Sequence, residues 1–240
     1  AEHDLIHENG FINGTFSVSN NLYIKANSDG GTGNIIFNGS ATQEYSMDSG
    51  ATRTCNIIVD KPSGVLNPAA GTIDFYPRLF TLRSGDFTAP PGNLDLGSTW
   101  TTNTTIFTQT GGNFIHNNGT LLINPIQSGC TQRTFTLDVL PTNVFYNIVV
   151  NPTNACPVGS IITTLAGDTL NAENNLIHLD GVINGKFSLK NNLYINSGSD
   201  GGTGSIIVNG SADQYYFTDS LAPRTCGVVI NKASGNFMPD

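Results

Sequence analysis

Residues 20–41, NNLYIKANSDGGTGNIIFNGSA, return at 191–212 as NNLYINSGSDGGTGSIIVNGSA. Sliding residues 1–69 onto 172–240 needs no gap and leaves about 40 of 69 positions identical, with Ala1 on Ala172, Cys55 on Cys226 and Pro68 on Pro239. Self-similarity at a fixed period restricts the chain to architectures that stack or string together equal units. One 171-residue period plus the first part of the next predicts a window from a longer tandem array.

A weaker repetition runs inside the period. Gly-x-Phe-[Ser/Thr] followed by Asn-Leu-x-[Ile/Leu] occurs from Gly14, Gly85 and Gly185. Three aliphatics between Gly and Asn occur in GNIIFNG from Gly33, GTLLINP from Gly119 and GSIIVNG from Gly204. A β-branched run closed by Asp or Asn occurs in NIIVDK from Asn56, NIVVNP from Asn147 and GVVINK from Gly227. The order predicts one continuous array over 1–240 with subrepeats at about 1–71, 72–171 and 172–240. The middle subrepeat is longer, and most of its surplus sits around 98–118 and 151–170.

These segments are short, rich in Ile, Val, Phe, Leu and Tyr, and bounded by Gly, Asn, Asp, Ser or Pro, as strands are. Asn-Gly and Asp-Gly pairs recur between them and suit tight turns. No long window carries a capped 3.6-residue apolar period. The expectation is an all-β chain, and a right-handed parallel β-solenoid (β-helix) fits best, because a solenoid absorbs a longer turn without disturbing its neighbours. Tandem β-sandwich domains are the alternative, although they call for linkers and a fixed domain size. In a solenoid the abundant Asn and Thr can hydrogen-bond in ladders at matching corners of successive turns.

Only 12% of the residues are charged, and the net charge of −8 leaves ten scattered Lys and Arg. Nucleic acids and anionic lipids are held by clustered basic residues, so neither is an expected partner. No run approaches the ~20 apolar residues of a membrane helix, so no membrane insertion is expected in this segment.

The phrases GTFSVSNNLYI, GDFTAPPGNLDLG, GGNFIHNNGTLLIN and NVFYNIVVN resemble the β-solenoid repeats of very large bacterial surface and adhesin-like proteins. The resemblance covers most of the chain. It implies an extracellular or cell-surface, elongated stalk, fibre or adhesive surface, and carries over no partner. The expectation for this segment is a non-catalytic structural or adhesive role without a cofactor, with self-association into fibres or surface glycans as partners. A carbohydrate-binding β-helix module is the alternative function, and a polysaccharide-active enzyme a weaker one.

The residues that could carry chemistry mostly recur with the repeat, whereas a catalytic site occurs once. His7, His116 and His178 share the phrase Ile-His-x-[Asn/Asp]-Gly, which reads as one turn position repeated rather than a set of metal ligands, because ligands must converge within about 2 Å of one ion. Asp48 with Arg53, and Asp219 with Arg224, read as a repeated loop brace, with Asp138 and Asn143 in the middle subrepeat. SDGGTG at 28–33 and 199–204 reads as a turn rather than a calcium loop, since it carries one Asp per copy. Tyr23, Tyr194, Phe75, Tyr76 and Trp100 could stack on sugars if exposed. Trp100, in the Thr-rich STWTTNTT, is the preferred ligand contact. Sequons at Asn13, Asn38, Asn103, Asn118 and Asn209 are candidate glycan attachment points. Cys130 and Cys156 are a candidate disulfide, in keeping with an extracellular location, with four reduced, buried cysteines as the alternative, whereas Cys55 and Cys226 lie a whole period apart and cannot meet.

Overall fold

A computed structural model describes residues 3–154, 159–220 and 224–240. Among them there is no helix, and parallel strands stack as a β-solenoid of about nine turns. The sandwich alternative is set aside by the pairing itself: among the described residues, Leu5–Gly10 on Leu22–Ser28, Thr15–Val18 on Asn34–Phe37, Asn56–Pro68 on Phe80–Thr88 and Thr120–Ile123 on Asn147–Val150 all pair in parallel, and parallel neighbours need a long connection rather than a hairpin.

The chain forms two compact units, residues 1–96 with 106–119, and residues 97–105 with 120–240. In the first, Leu5 lies on Leu22 and Leu22 on Tyr45, so successive turns take 17 and 23 residues. Each early turn carries three stacked segments. Leu5–His7 sits on Leu22–Ile24, Asn9–Gly10 on Asn27–Ser28 past a bulge, and Thr15–Val18 on Asn34–Phe37. The second unit repeats this register one period later, with Leu176 on Leu193, Leu193 on Tyr216, and Lys186–Leu189 on Ser205–Val208.

Along many of the strands burial alternates. Asn34–Phe37, Thr120–Ile123 and Asn147–Val150 all put their second and fourth residues into the core and leave the others half-buried. Runs of aliphatics suggest strands covered on both faces; here each strand is one wall, and its outward aliphatics are shielded by equivalents on neighbouring turns. Inside the first unit, core rings follow one another from turn to turn. Tyr45 packs on Phe75 at 4.4 Å, Phe80 on Phe87 at 4.6 Å and Phe80 on Phe107 at 5.3 Å. Each such buried side chain contributes about 1.5–3 kcal/mol relative to exposure.

The longer middle turns have a structural cause. Thr99–Trp100, Ile126–Gln127 and Thr153–Asn154 form a separate three-stranded parallel sheet. In that unit Leu121 lies on Ile148 and Phe135 on Ile162, so these turns take 27 residues instead of 17 to 23. The surplus is thus a fourth segment per turn rather than an insertion of loops.

Candidate functional site

Corners of successive turns are tied by side-chain ladders. Asn34 Nδ2 donates to Thr15 Oγ1, Asn56 Nδ2 to Asn34 Oδ1, and Arg78 Nη1 to Asn56 Oδ1, at 3.2, 3.1 and 3.4 Å. Asn174 Nδ2 donates to Asn147 Oδ1, and Asn191 Nδ2 to Asn174 Oδ1, at 3.0 and 2.7 Å. These rows meet the expectation for the Asn and Thr excess.

A second device was not read from the sequence. Lys61, 1% exposed, aims its ammonium at the Gly39 carbonyl, the Ala41 carbonyl and Gln43 Oε1, at 2.7, 2.9 and 2.6 Å. Gln43 in turn accepts the Gly39 N–H and donates to the carbonyls of Val18 and Asn20. Lys232 and Gln214 rebuild the same cage on Gly210 and Ala212 at 2.7, 2.8 and 2.6 Å. The available signal was that both polar residues survive at identical spacing in copies whose apolar residues drift.

The three histidines separate into two kinds. His7 and His178 occupy one position and place Nε2 2.8 Å from the carbonyls of Gly10 and Gly181. His178 is fully buried, and burial lowers its pKa, with the Gly181 carbonyl working against that. His116 is not a third copy. Its Nδ1 accepts the Asn118 N–H at 3.0 Å in a turn where Asn117 and Asn118 have φ of 48° and 55°.

Asp48 does not brace Arg53. It faces Lys25 at 3.6 Å on the preceding turn, while the Arg53 guanidinium is lowered by burial and held up by Asp95 and Tyr76. Asp219 accepts from Asn196 Nδ2 and the Ser197 N–H, both at 3.1 Å. Asn143 is 4% exposed, and its carbonyl accepts from Asn171. The SDGGTG glycines answer to the backbone. Gly31 has φ +130°, and a Cβ there would lie 2.1 Å from the Ile12 carbonyl oxygen; Gly202 repeats this against Ile183 at 2.0 Å.

Trp100 is corrected as a ligand contact. It is 6% exposed and paired with Gln127 in the additional sheet, so the Thr-rich stretch turns its ring inward. Phe75 is fully buried too, and Tyr76 is half-buried with its hydroxyl 3.1 Å from Asp74 Oδ2. Tyr194 stacks on Phe217 at 4.5 Å with a 6° interplanar angle, which covers a ring face that a sugar would need. Tyr23 is half-buried, with Lys25 Nζ 6.0 Å from its ring centre. All five sequon asparagines, Asn13, Asn38, Asn103, Asn118 and Asn209, are exposed; Asn13 accepts from Thr32, and Asn103 from the Thr134 N–H. Cys130 follows Ile126–Gln127 in a turn, and Cys156 lies outside the described residues.

A recess of about 420 Å³ forms a polar groove in the second unit, lined by Thr163–Asp168, 184–186 and 203–205. Thr164 Oγ1 donates to the Asp168 carbonyl and accepts the Lys186 N–H, both at 3.2 Å. Asn184 Oδ1 accepts from the Thr203 N–H and hydroxyl. Its lining holds one carboxylate, Asp168, whose Oδ2 accepts the Val139 N–H at 3.0 Å. Asp138, raised by burial and then by Asp168, is not among the lining residues. Such a groove offers hydroxyls, amides, one ammonium and one carboxylate to a polar ligand. The two flanking carboxyls of glycoside hydrolysis are not assembled in it.

Comparison with protein-family models, with curated proteins and with solved structures found no match.

Proposed function

We propose that this chain is a structural and adhesive repeat segment of a long extracellular surface protein or fibre, acting through length, stiffness and display rather than catalysis. One observation carries this reading: what the 171-residue repeat preserves in full atomic detail is bracing. The Lys61–Gln43 cage returns as Lys232–Gln214, and the His7 turn returns as His178. Some strand residues on the outward side change character between copies, as Ser46 to Phe217 and Glu44 to Tyr215 show, while turn residues such as Asn20, Asn38 and Ser40 are kept as Asn191, Asn209 and Ser211. A scaffold needs its corners kept and its surface free to vary; an enzyme needs the reverse.

The test is a series of proteins carrying one, two and four periods, imaged in negative stain. Particle length should rise in proportion to the number of periods at constant width. Particles that grow as compact globules would overturn the reading.

Carbohydrate binding is the second reading, favoured by the polar groove of Thr163–Asp168 and Lys186. A glycan array should then give binding that Lys186→Ala weakens at least fivefold, while Trp100→Phe leaves it unchanged.

A further inference from the structure

At one corner the second copy gives up a brace that the first copy has. Thr15, Asn34 and Asn56 lie on one another in successive turns, with Asn34 Nδ2 donating to Thr15 Oγ1 and Asn56 Nδ2 to Asn34 Oδ1. One period later the same three rungs are Lys186, Ser205 and Gly227. A lysine ammonium offers no acceptor and glycine no side chain, so this row cannot form the ladder. The adjoining brace is kept intact. Asn13 Oδ1 accepts from the Thr32 N–H and hydroxyl, and Asn184 Oδ1 accepts from the Thr203 N–H and hydroxyl. The turn therefore holds its shape while the ladder side chains are released from structural work.

Two of the released residues, Lys186 and Ser205, line the polar groove of about 420 Å³, a volume within the roughly 300–1,000 Å³ of small-molecule sites. Its hydrogen-bonding capacity is only partly spent. Among the described residues Lys186 and Asp168 form no ion pair with each other. Asp168 uses Oδ2 on the Val139 N–H, which leaves Oδ1 as an acceptor. Asn184 spends its oxygen on Thr203 and keeps both N–H donors of its amide. The Ser205 hydroxyl can donate and accept.

This set selects among polar ligands. A simple anion such as sulfate answers Lys186 and Asn184 but has no hydrogen for Asp168 and is repelled by it. A neutral sugar answers Asp168 and the hydroxyls and leaves the ammonium without a counter-charge. A hydroxyl-bearing ring with one carboxylate answers both, because its carboxylate takes the charge-assisted bond from lysine and its hydroxyls donate to the aspartate. We propose that this groove binds an acidic saccharide, a sugar ring carrying one carboxylate as in a hexuronate, with Lys186 on the carboxylate and Asp168 and Asn184 on ring hydroxyls. The proposal rests on the carbohydrate-binding reading of the groove and names its ligand class.

Titration calorimetry of the full 240-residue chain tests it with trisaccharides of galacturonate, glucuronate and mannuronate, each beside its carboxyl-reduced neutral counterpart. The double variant Lys186→Thr with Ser205→Asn restores the rung residues that the fold already carries at Thr15 and Asn34, so its melting temperature should match the parent's; Lys186→Met serves if it does not. The parent should bind at least one hexuronate trisaccharide tenfold or more tighter than the neutral counterpart, and the variant should lose that preference. Equal binding of acid and neutral forms by the parent overturns the acidic ligand and leaves the carbohydrate reading standing. A preference for the acid that survives in the variant places the binding elsewhere and overturns the assignment to this groove. Binding of none of these saccharides overturns the proposal and the carbohydrate reading together.

Discussion

Replacing Lys61 by Met keeps the aliphatic stem and removes the ammonium, which isolates the value of the cage. Three charge-assisted hydrogen bonds are lost, at 2.7, 2.9 and 2.6 Å, each worth about 1.5–3 kcal/mol. Relief from desolvating the ion, several kcal/mol in a buried site, offsets much of that sum. What persists in the variant is the loss of a donor for the buried Gly39 carbonyl and for the buried Gln43 Oε1, at about 1–3 kcal/mol each, whereas exposed Ala41 can turn its carbonyl to water. The expected net loss is therefore about 3 kcal/mol. Lys232 makes the same three contacts but is half-buried, so water can replace the ammonium, and Lys232→Met should cost about 1 kcal/mol. The pair is an internal control, because chemistry is constant and burial differs. Hydrogen exchange at residues 39–43 and 210–214 measures each cage locally, and urea midpoints give the larger transition. A Lys61→Met loss below about 1 kcal/mol, or equal losses at both positions, would refute the argument that burial sets the value.

The thiols of Cys55 and Cys226, both pushed up to about 11 by burial, should resist a thiol-specific disulfide reagent at pH 8 in the native chain and react fully in urea. His178 has a folded-state pKa lowered by burial, so its contribution is intact above the ordinary value of about 6.5 and is lost as pH falls through the folded value; the melting temperature of His178→Gln should fall less between pH 7 and pH 5 than that of the parent. Trp100 is the single tryptophan and 6% exposed, so its emission should be blue-shifted and poorly quenched by iodide. Non-reducing peptide mapping should recover Cys130 linked to Cys156; recovery of both as free thiols would remove that pairing.

The stacking of parallel turns was legible because apolar residues, Gly and Asn recur in fixed order, and a solenoid imposes one environment on each recurring position. Contacts between turns were less legible. Asp48 and Arg53 are five residues apart and of opposite charge, yet the partner Asp48 faces is Lys25, one turn of 23 residues away. His116 shares its phrase with His7 by coincidence of turn composition, and the left-handed Asn117 and Asn118 give it a different task. Trp100 looked exposed because its neighbours are threonines. A two-residue strand is too short to show alternation, so nothing local announced that Thr99–Trp100 pairs with Ile126–Gln127.

The additional sheet and the lysine cage answer the same physical demand. Every turn must leave one wall and enter the next, and its corner carbonyls are withdrawn from water when another turn stacks on them, so each needs a donor. In the two outer copies Lys61 and Lys232 supply it, with Gln43 and Gln214 beneath them. The middle copy has Pro152 where the others have lysine, and no ammonium can reach that corner from this position. There a buried glutamine still works, as Gln127 donates to the Gly129 carbonyl and accepts from the Arg133 N–H and the Ser160 hydroxyl. Its own strand, Ile126–Gln127, pairs on both sides within the additional sheet, so backbone donors take the place of the ammonium. Lengthening a turn by a fourth segment and burying a lysine are thus alternative ways to satisfy a corner.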